Sequence, residues 1–180
     1  MARKRKDKKS HEDRGLTRRV GRVLWRVGFS AIALLLLWII AYRFLPVPTT
    51  AYMLSEARRI GTIDQTWRPL EEISPNLQRA VVAAEDANFC AHWGFDMSAI
   101  RDAISDGAQR GASTLSQQTV KNAFLWHGRN WGRKALEAAL TPVVELIWPK
   151  SRVLEVYLNI AEFNAGIFGA EAAAQHYFGV

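Results

Sequence analysis

Gly111-Ala112-Ser113-Thr114-Leu115-Ser116-Gln117-Gln118-Thr119-Val120-Lys121-Asn122 carries the clearest structural signal in the chain. Thr114 followed three residues later by Gln117 is a capping-box pattern, in which each side chain satisfies a backbone N–H that the first helical turn leaves without a partner. It predicts a helix over Leu115–Phe124. The glycine-containing loop Gly107–Ala112 leads into it. A loop running into a helix start presents free N–H groups and the positive end of the helix dipole, which is a general anion site. Gln118 and Lys121 stand three apart, share a face and could extend that site. An ordinary helix start would show the same pattern.

Working outward, Asp96–Gln109 reads as a helix. Ser74-Pro75 opens an earlier one, with Ser as N-cap and Pro in the first helical position. It runs over Asn76–Asn88, with Leu77, Ala80, Val81 and Ala84 on one apolar face. Ala51–Ile60 reads as a short helix and Gly61–Pro69 as an extended piece. Toward the C-terminus, Trp131–Ile147 reads as a longer helix disturbed at Pro142. Pro149–Asn159 follows, capped by Ser151, and Gly169–Tyr177 is the last. There is no strong alternating pattern, so the fold class is mainly α.

The chain has 180 residues, 24 Lys+Arg, 17 Asp+Glu and a net charge of +7. Ordinary Gly and Pro content, a single Cys and seven Trp exclude collagen-like, disulfide-scaffold and wholly disordered classes. The positive charge first suggests a nucleic-acid partner, but its distribution argues against one. Residues 1–26 hold eleven Lys/Arg and three acids, whereas the remainder holds 13 basic and 14 acidic residues. The body is near neutral, and the excess lies in an N-terminal basic arm. Val27–Tyr42 then carries no charge. With Arg43 snorkelling and Phe44 and Leu45 added, the stretch rises roughly 28 Å, enough to cross a bilayer core. The reading is an arm at 1–26, a transmembrane helix at 27–45 and an exported domain at 46–180 that opens on a linker at Pro46–Pro48. Lys and Arg are retained on the cytoplasmic side, which orients the helix. A cleaved signal peptide is the rival reading, but Leu45-Pro46-Val47-Pro48-Thr49-Thr50 offers no small-residue cleavage site. Cys90, unable to form an internal disulfide, is expected to be a small buried apolar residue.

Three clusters carry chemistry. Glu85-Asp86 closes the Ser74 helix, where exposed carboxylates oppose the dipole by about 0.3–1 kcal/mol. Functional sites tend to violate local rules in this way, although solvated helix-end acids would look alike. His92 follows, with a structural role as the plain alternative. No second His or Cys stands at metal-ligand spacing, since His127 and His176 are far off, so no dedicated metal site is expected. The second cluster is the loop and helix start at Gly111–Asn122. The third is Arg133-Lys134-Ala135-Leu136-Glu137, whose two cations reach the Glu137 face; an exposed ion pair is its plain alternative. Together they supply a carboxylate that could act as base, an anion-binding helix start, and a basic pair beside a second carboxylate. These are the parts needed to move a group off a phosphate or pyrophosphate.

The ordered motifs resemble the family 51 peptidoglycan glycosyltransferases, and most of all their membrane-anchored monofunctional members. The resemblance rests on Glu85-Asp86-x-x-Phe89-x-x-His92-x-Gly94-x-Asp96, Gly111-x-Ser113-Thr114-Leu115-x-Gln117-Gln118-x-x-Lys121-Asn122 and Arg133-Lys134-x-x-Glu137. Lys150-Ser151-x-x-Leu154-Glu155-x-Tyr157-Leu158-Asn159 and Gly166-x-x-Gly169 through Tyr177-Phe178-Gly179 complete it. It spans about Pro46 to Gly179, and the family pattern continues past the point where this chain stops, so the domain is expected to be incomplete at its C-terminus.

The resemblance implies a lysozyme-like fold of two lobes and polymerisation of lipid II into β-1,4-linked glycan with release of undecaprenyl pyrophosphate. Glu85 matches the general base and Glu137 a second functional carboxylate near the donor pyrophosphate. Lys121, Arg133 and Lys134 match cations that neutralise the leaving group. Ser113, Thr114 and Gln118 match substrate contacts, and Asp86, Phe89 and His92 look like shaping and positioning residues at the same site. A divalent cation, Mg or Mn, is compatible at the pyrophosphate. Expected partners are lipid II, the growing lipid-linked glycan, the membrane, and other cell-wall synthesis proteins, with no nucleic acid. The expected location is a bacterial inner membrane, with the N-terminus cytoplasmic and the domain periplasmic. The stretch Phe124–Trp131 is expected either at the membrane interface or in the core. A glycan-cleaving hydrolase would leave Lys121, Arg133 and Lys134 idle; the third reading is a non-enzymatic membrane-bound scaffold that holds a cell-wall complex together, which the expected C-terminal shortfall keeps open.

Overall fold

An apolar run with no Pro and a single Gly, Gly28, has only its own backbone to satisfy its hydrogen-bonding groups in lipid, and it folds as a helix. In the computed structural model this is α1, Ala2–Phe44. The structure describes residues 2–105, 107, 111–128 and 130–180, with side chains from Arg18 onward. The side chains of the basic arm up to Arg14 lie outside these, as do Arg129 and residues 108–110 of the expected loop. Helix α1 reaches back through the arm because Arg, Lys and Glu are good helix formers. Its part Arg18–Phe44 is long and apolar enough to cross a membrane. There Leu24, Trp25, Phe29, Leu34 and Leu37 are exposed, as suits a helix surrounded by lipid.

The chain divides into two units, Met1–Ala41 and Tyr42–Val180. In the second, α2 (Ala51–Ile60) is opened by Thr50, whose hydroxyl accepts from Met53 N, and ends at Gly61. A short strand, β1 (Asp64–Gln65), and a 3-10 turn at Leu70–Glu72 follow. Then come α3 (Pro75–Glu85), α4 (Met97–Ser105), α5 (Leu115–Phe124), α6 (Trp131–Ile147) and α7 (Lys150–Ile160). The chain closes with β2 (Glu162–Asn164), β3 (Ile167–Phe168) and α8 (Ala170–Phe178).

Helix α5 is the centre. It packs against α6, α7 and α2, and eight of its ten residues are buried. Leu115 and Val120 of α5, Val153, Val156 and Leu158 of α7, Val144, Trp148, Met53 and Phe168 form the core. The strands make a sheet in the order β1-β3-β2, with β1 and β3 parallel and β2 and β3 antiparallel across a bulge. Two or three residues are too short to print an alternating pattern, which is why the sequence reads as helical alone. Asn159 ties the extended Gly61–Pro69 piece to α7: its amide donates to Arg68 O at 2.8 Å, and its carbonyl oxygen accepts from Arg68 N at 2.7 Å.

The expected helices are present, with five local corrections; of the expected Asp96–Gln109 helix, α4 covers Met97–Ser105, and residues 106, 108 and 109 lie outside the described ones. Helix α3 ends at Glu85, three residues early, because Asp86 turns inward. Its expected apolar face is not buried, with Ala80 and Ala84 exposed and Leu77 and Val81 half-buried. Neither Ser74 nor Ser151 caps through its side chain. Ser151 lies inside α7, whose start is served by the Pro149 carbonyl accepting from Arg152 N and Val153 N. Helix α6 runs unbroken through Pro142, and Cys90 is exposed in the turn after α3, while Phe89 faces inward.

Candidate active site

Asp86 sits one residue past the end of α3 and its carboxylate is buried. It accepts from Leu115 N, at the start of α5, at 2.9 Å and from His92 Nε2 at 2.9 and 3.0 Å. His92 Nδ1 accepts from Gly94 N at 3.1 Å, so the proton must lie on Nε2, where it is donated to Asp86. The ring then closes, because the Thr114 hydroxyl donates to Gly94 O at 2.7 Å. The Thr114–Gln117 capping box forms in full. Gly94 is obligatory here: its φ is +108°, and a Cβ would stand 2.7 Å from Thr141 Cγ2. This closed circuit welds the turn after α3 to the first turn of α5 and leaves the side chains of Asp86, His92 and Thr114 occupied with one another.

Phe89 is held beneath the same turn. The Lys150 ammonium lies 4.5 Å from its ring centroid and 2.7 Å from Glu145 Oε1, which also accepts from the Ser116 hydroxyl. Asp96 ties down the far end. It accepts from Ser98 N and Ala99 N, capping α4, and from the Asn88 amide at 2.8 Å. The Ser98 hydroxyl, donating to the same carboxylate at 2.5 Å, contributes most, and with these bonds it holds the carboxyl well below the ordinary aspartate range.

The circuit projects Glu85 outward. Its exposed carboxylate accepts from the Gln118 amide at 2.9 Å. The Tyr157 hydroxyl stands 3.5 Å from the Gln118 carbonyl oxygen. Burial, reinforced by the Glu85 charge, pushes that hydroxyl up to about 12, so it stays a proton donor at neutral pH.

The second carboxylate is built differently. Asn130 caps α6 by accepting from Arg133 N at 2.7 Å. One turn on, buried Glu137 accepts from Arg133 Nη1 at 3.0 Å and, on its other oxygen, from Lys134 Nζ at 2.5 Å. Lys134 also donates to the Ser113 hydroxyl at 3.3 Å. Lys121 projects toward this pair from α5. Burial pulls its ammonium below the ordinary lysine value, and the charge of Glu137 opposes that pull.

The sequence-predicted residues therefore fall into two chemical groups, Glu85 with Gln118 and the cations with Glu137. Ser113 touches both: its carbonyl lies 3.5 Å from the Gln118 amide, and its hydroxyl takes Lys134. Asp86, Phe89, His92 and Thr114 form the scaffold behind them. Tyr157, Ser116, Glu145 and Lys150 carried no role in the sequence reading. Tyr157 and Lys150 lie in a quoted motif, but their partners are distant in the chain. The expected Phe124–Trp131 stretch divides, since Phe124 and Leu125 are buried while Trp126 and Trp131 are exposed. Among the described residues no group of three His, Cys, Asp or Glu could hold a metal ion, and both oxygens of Glu137 are already engaged by cations. The donor set of the described residues does not fit a protein-held metal.

A profile of the transglycosylase family matches residues 54–180. The chain is 65% identical over 179 residues to the biosynthetic peptidoglycan transglycosylase of Jannaschia sp. (strain CCS1), covering 99% of this chain and 75% of that protein. It is 52% identical over 180 residues to the protein of the same description from Ectopseudomonas mendocina (strain ymp), covering 93% and 72%. To that of Pasteurella multocida (strain Pm70) it is 49% identical over 168 residues, covering 87% and 68%.

Proposed function

The chain belongs to the transglycosylase family, and on that premise we propose that it polymerises lipid II into β-1,4-linked glycan and releases undecaprenyl pyrophosphate. It is a glycosyltransferase of peptidoglycan synthesis; the donor, acceptor and residue roles are the proposal. Glu85 takes the proton from the 4-hydroxyl of the acceptor sugar as that oxygen forms its bond to the donor anomeric carbon. The bond from that carbon to the pyrophosphate breaks on the opposite face, and its electron pair leaves with the phosphate oxygen. Attack opposite to departure inverts the anomeric centre, turning an α-linked pyrophosphate into a β bond.

The proton acceptor must be reachable by substrate, as the exposed Glu85 is. The departing oxygen gains charge, and cations held in place before the reaction stabilise it without reorganising. Arg133 and Lys134 are held by Glu137 in that way. Partly buried Lys121 lacks full hydration, so a phosphate arriving beside it is attracted more strongly than it would be in water. The observation that carries the reading is Ser113, which touches both the Glu85–Gln118 pair and the Lys134–Glu137 pair. One loop residue thus sets the separation between proton acceptor and leaving-group cations.

A substrate with a long lipid tail stays in the bilayer, and the apolar part of α1 is suited to keep the enzyme beside it. The basic arm then lies on the cytoplasmic side and the second unit on the outer face. Labelled lipid II tests the activity: polymer forms with the wild type and disappears with Glu85→Gln. Soluble fragments released from preformed glycan would instead identify a hydrolase, and neither product would identify a scaffold.

A further inference from the structure

Tyr52, in the helix that follows the apolar segment, has no part in the reaction above, yet it stands on the wall of the cation pocket. A cavity of about 390 Å³ is lined by Tyr52, Lys121, Trp126, His127, Gly128 and Arg133, together with Asn122. The Tyr52 ring stacks on His127, with centroids 4.7 Å apart and planes 16° from parallel. It also stands edge-to-face with buried Phe168, with centroids 5.5 Å apart and planes at 84°. Its hydroxyl donates to Glu162 Oε2, and Glu162 Oε1 accepts from Gly166 N at 3.0 Å. Burial first, and then that bond to Glu162, raise the Tyr52 hydroxyl above its ordinary value, so it remains a donor. The ring is therefore held by Phe168 of the core and at its tip by β2.

His127 is an exposed loop residue. Next to it, Gly128 has a φ of +120° and its carbonyl accepts from Arg133 Nε at 2.7 Å. Arg133 is thus held at two points, the Gly128 carbonyl and Glu137 Oε2. The first point lies on the loop that Tyr52 supports from below.

We propose that Tyr52 is a positioning residue for Arg133: by stacking on His127 it fixes the Gly128 carbonyl, which sets the direction in which the Arg133 guanidinium meets a pyrophosphate. This rests on the proposed function and adds a residue to it. The stack transmits position rather than charge. Its loss therefore acts on affinity for the pyrophosphate group, and only while Arg133 can span Gly128 and Glu137.

The test uses the full chain in detergent, with farnesyl pyrophosphate as the probe and calorimetry as the readout. Tyr52→Ala and His127→Ala each weaken binding about tenfold, the scale of one misdirected charge-assisted hydrogen bond. Tyr52→Phe keeps the stack on His127 and stays within about threefold of the wild type, since the lost bond to Glu162 holds only the tip of the ring and does not reach the Gly128 loop. His127 is exposed, so its substitution leaves folding intact where Tyr52→Ala fails to fold. On an Arg133→Lys background, which keeps the charge but not the fork, the same substitutions change binding less than about twofold, as expected for two residues acting through one contact. Binding by His127→Ala within about twofold of the wild type, or an undiminished loss on the Arg133→Lys background, would overturn the role of Tyr52 alone. A wild type that neither binds the probe nor polymerises lipid II would overturn the proposed activity as well.

Discussion

Around Glu85 the carboxylate is exposed and receives a single amide, whereas around Glu137 it is buried and receives two cations. Both are helix glutamates a few residues from a glycine-containing turn. The difference is what each must do. A proton acceptor has to meet substrate, so the protein secures the backbone on either side of Glu85 and leaves the group itself open. A charge that orients other charges never has to meet substrate, so Glu137 is enclosed and saturated. Substitutions of the two carboxylates should then separate activity from stability: at Glu85 activity falls alone, and at Glu137 both fall together.

The largest effect is expected at Glu85. Glu85→Gln keeps the Gln118 contact in shape but removes the base, so turnover of lipid II should fall about 10²- to 10⁴-fold. Its thermal midpoint should stay close to that of the wild type, because the group is exposed and away from packing. A midpoint lowered as much as the activity would erase the distinction drawn here.

Glu137→Gln should show the opposite balance. Removing one partner from a buried ion pair leaves Arg133 uncompensated and costs about 3–5 kcal/mol. Urea unfolding should show it directly, and polymerisation should be lost as well because Lys134 and Arg133 lose their orientation. Unchanged stability would mean that water reaches the pair and that its burial is not the operative feature.

Gly94→Ala probes the scaffold behind Glu85. The added methyl meets Thr141 Cγ2 at a 2.7 Å approach, on a backbone with φ +108°. Overpacking and positive φ together should cost about 1–3 kcal/mol. Because Gly94 links His92 to Thr114, turnover should fall further than the stability loss alone explains. Thermal melting beside a lipid II assay separates the two.

How much of this could be read beforehand depends on how far apart the interacting residues lie. The Thr114–Gln117 box is complete within four residues, and the helix it predicts, Leu115–Phe124, is the helix observed. The motif positions of Glu85, Lys121, Arg133 and Glu137 were legible for the same reason, each being a local pattern. Ser74 and Ser151 look like caps by residue type, but prolines beside them already set those helix starts, and no capping bond forms from either side chain. The Asp86–Leu115 bond joins residues 29 apart, Ser116–Glu145 the same distance, and Tyr52–Glu162 spans 110. No periodicity encodes such pairs. That Glu85 is left open and Glu137 enclosed was invisible for that reason, as was the inward turn of Phe89 that leaves Cys90 exposed.

The smallest predicted effect tests whether the Glu85 half is secured as far out as Asp96. That carboxylate caps α4 and holds Asn88, in the turn that follows Glu85. Because its folded-state carboxyl lies below its unfolded value, it adds stability that is fully present above about pH 4, the ordinary aspartate range. That contribution is lost as the pH falls from there toward the depressed folded value. Asp96→Asn should therefore cost about 1 kcal/mol near neutral pH, the typical worth of a cap. Its penalty should shrink as the pH drops below the unfolded aspartate value, because the wild type is then losing the same interaction. Urea midpoints of the two proteins, measured from pH 7 downward, would converge. Midpoints that stay parallel across that range would mean that the Asp96 hydrogen bonds do not depend on its charge, and that the turn beside Glu85 is held by the Asp86 circuit alone.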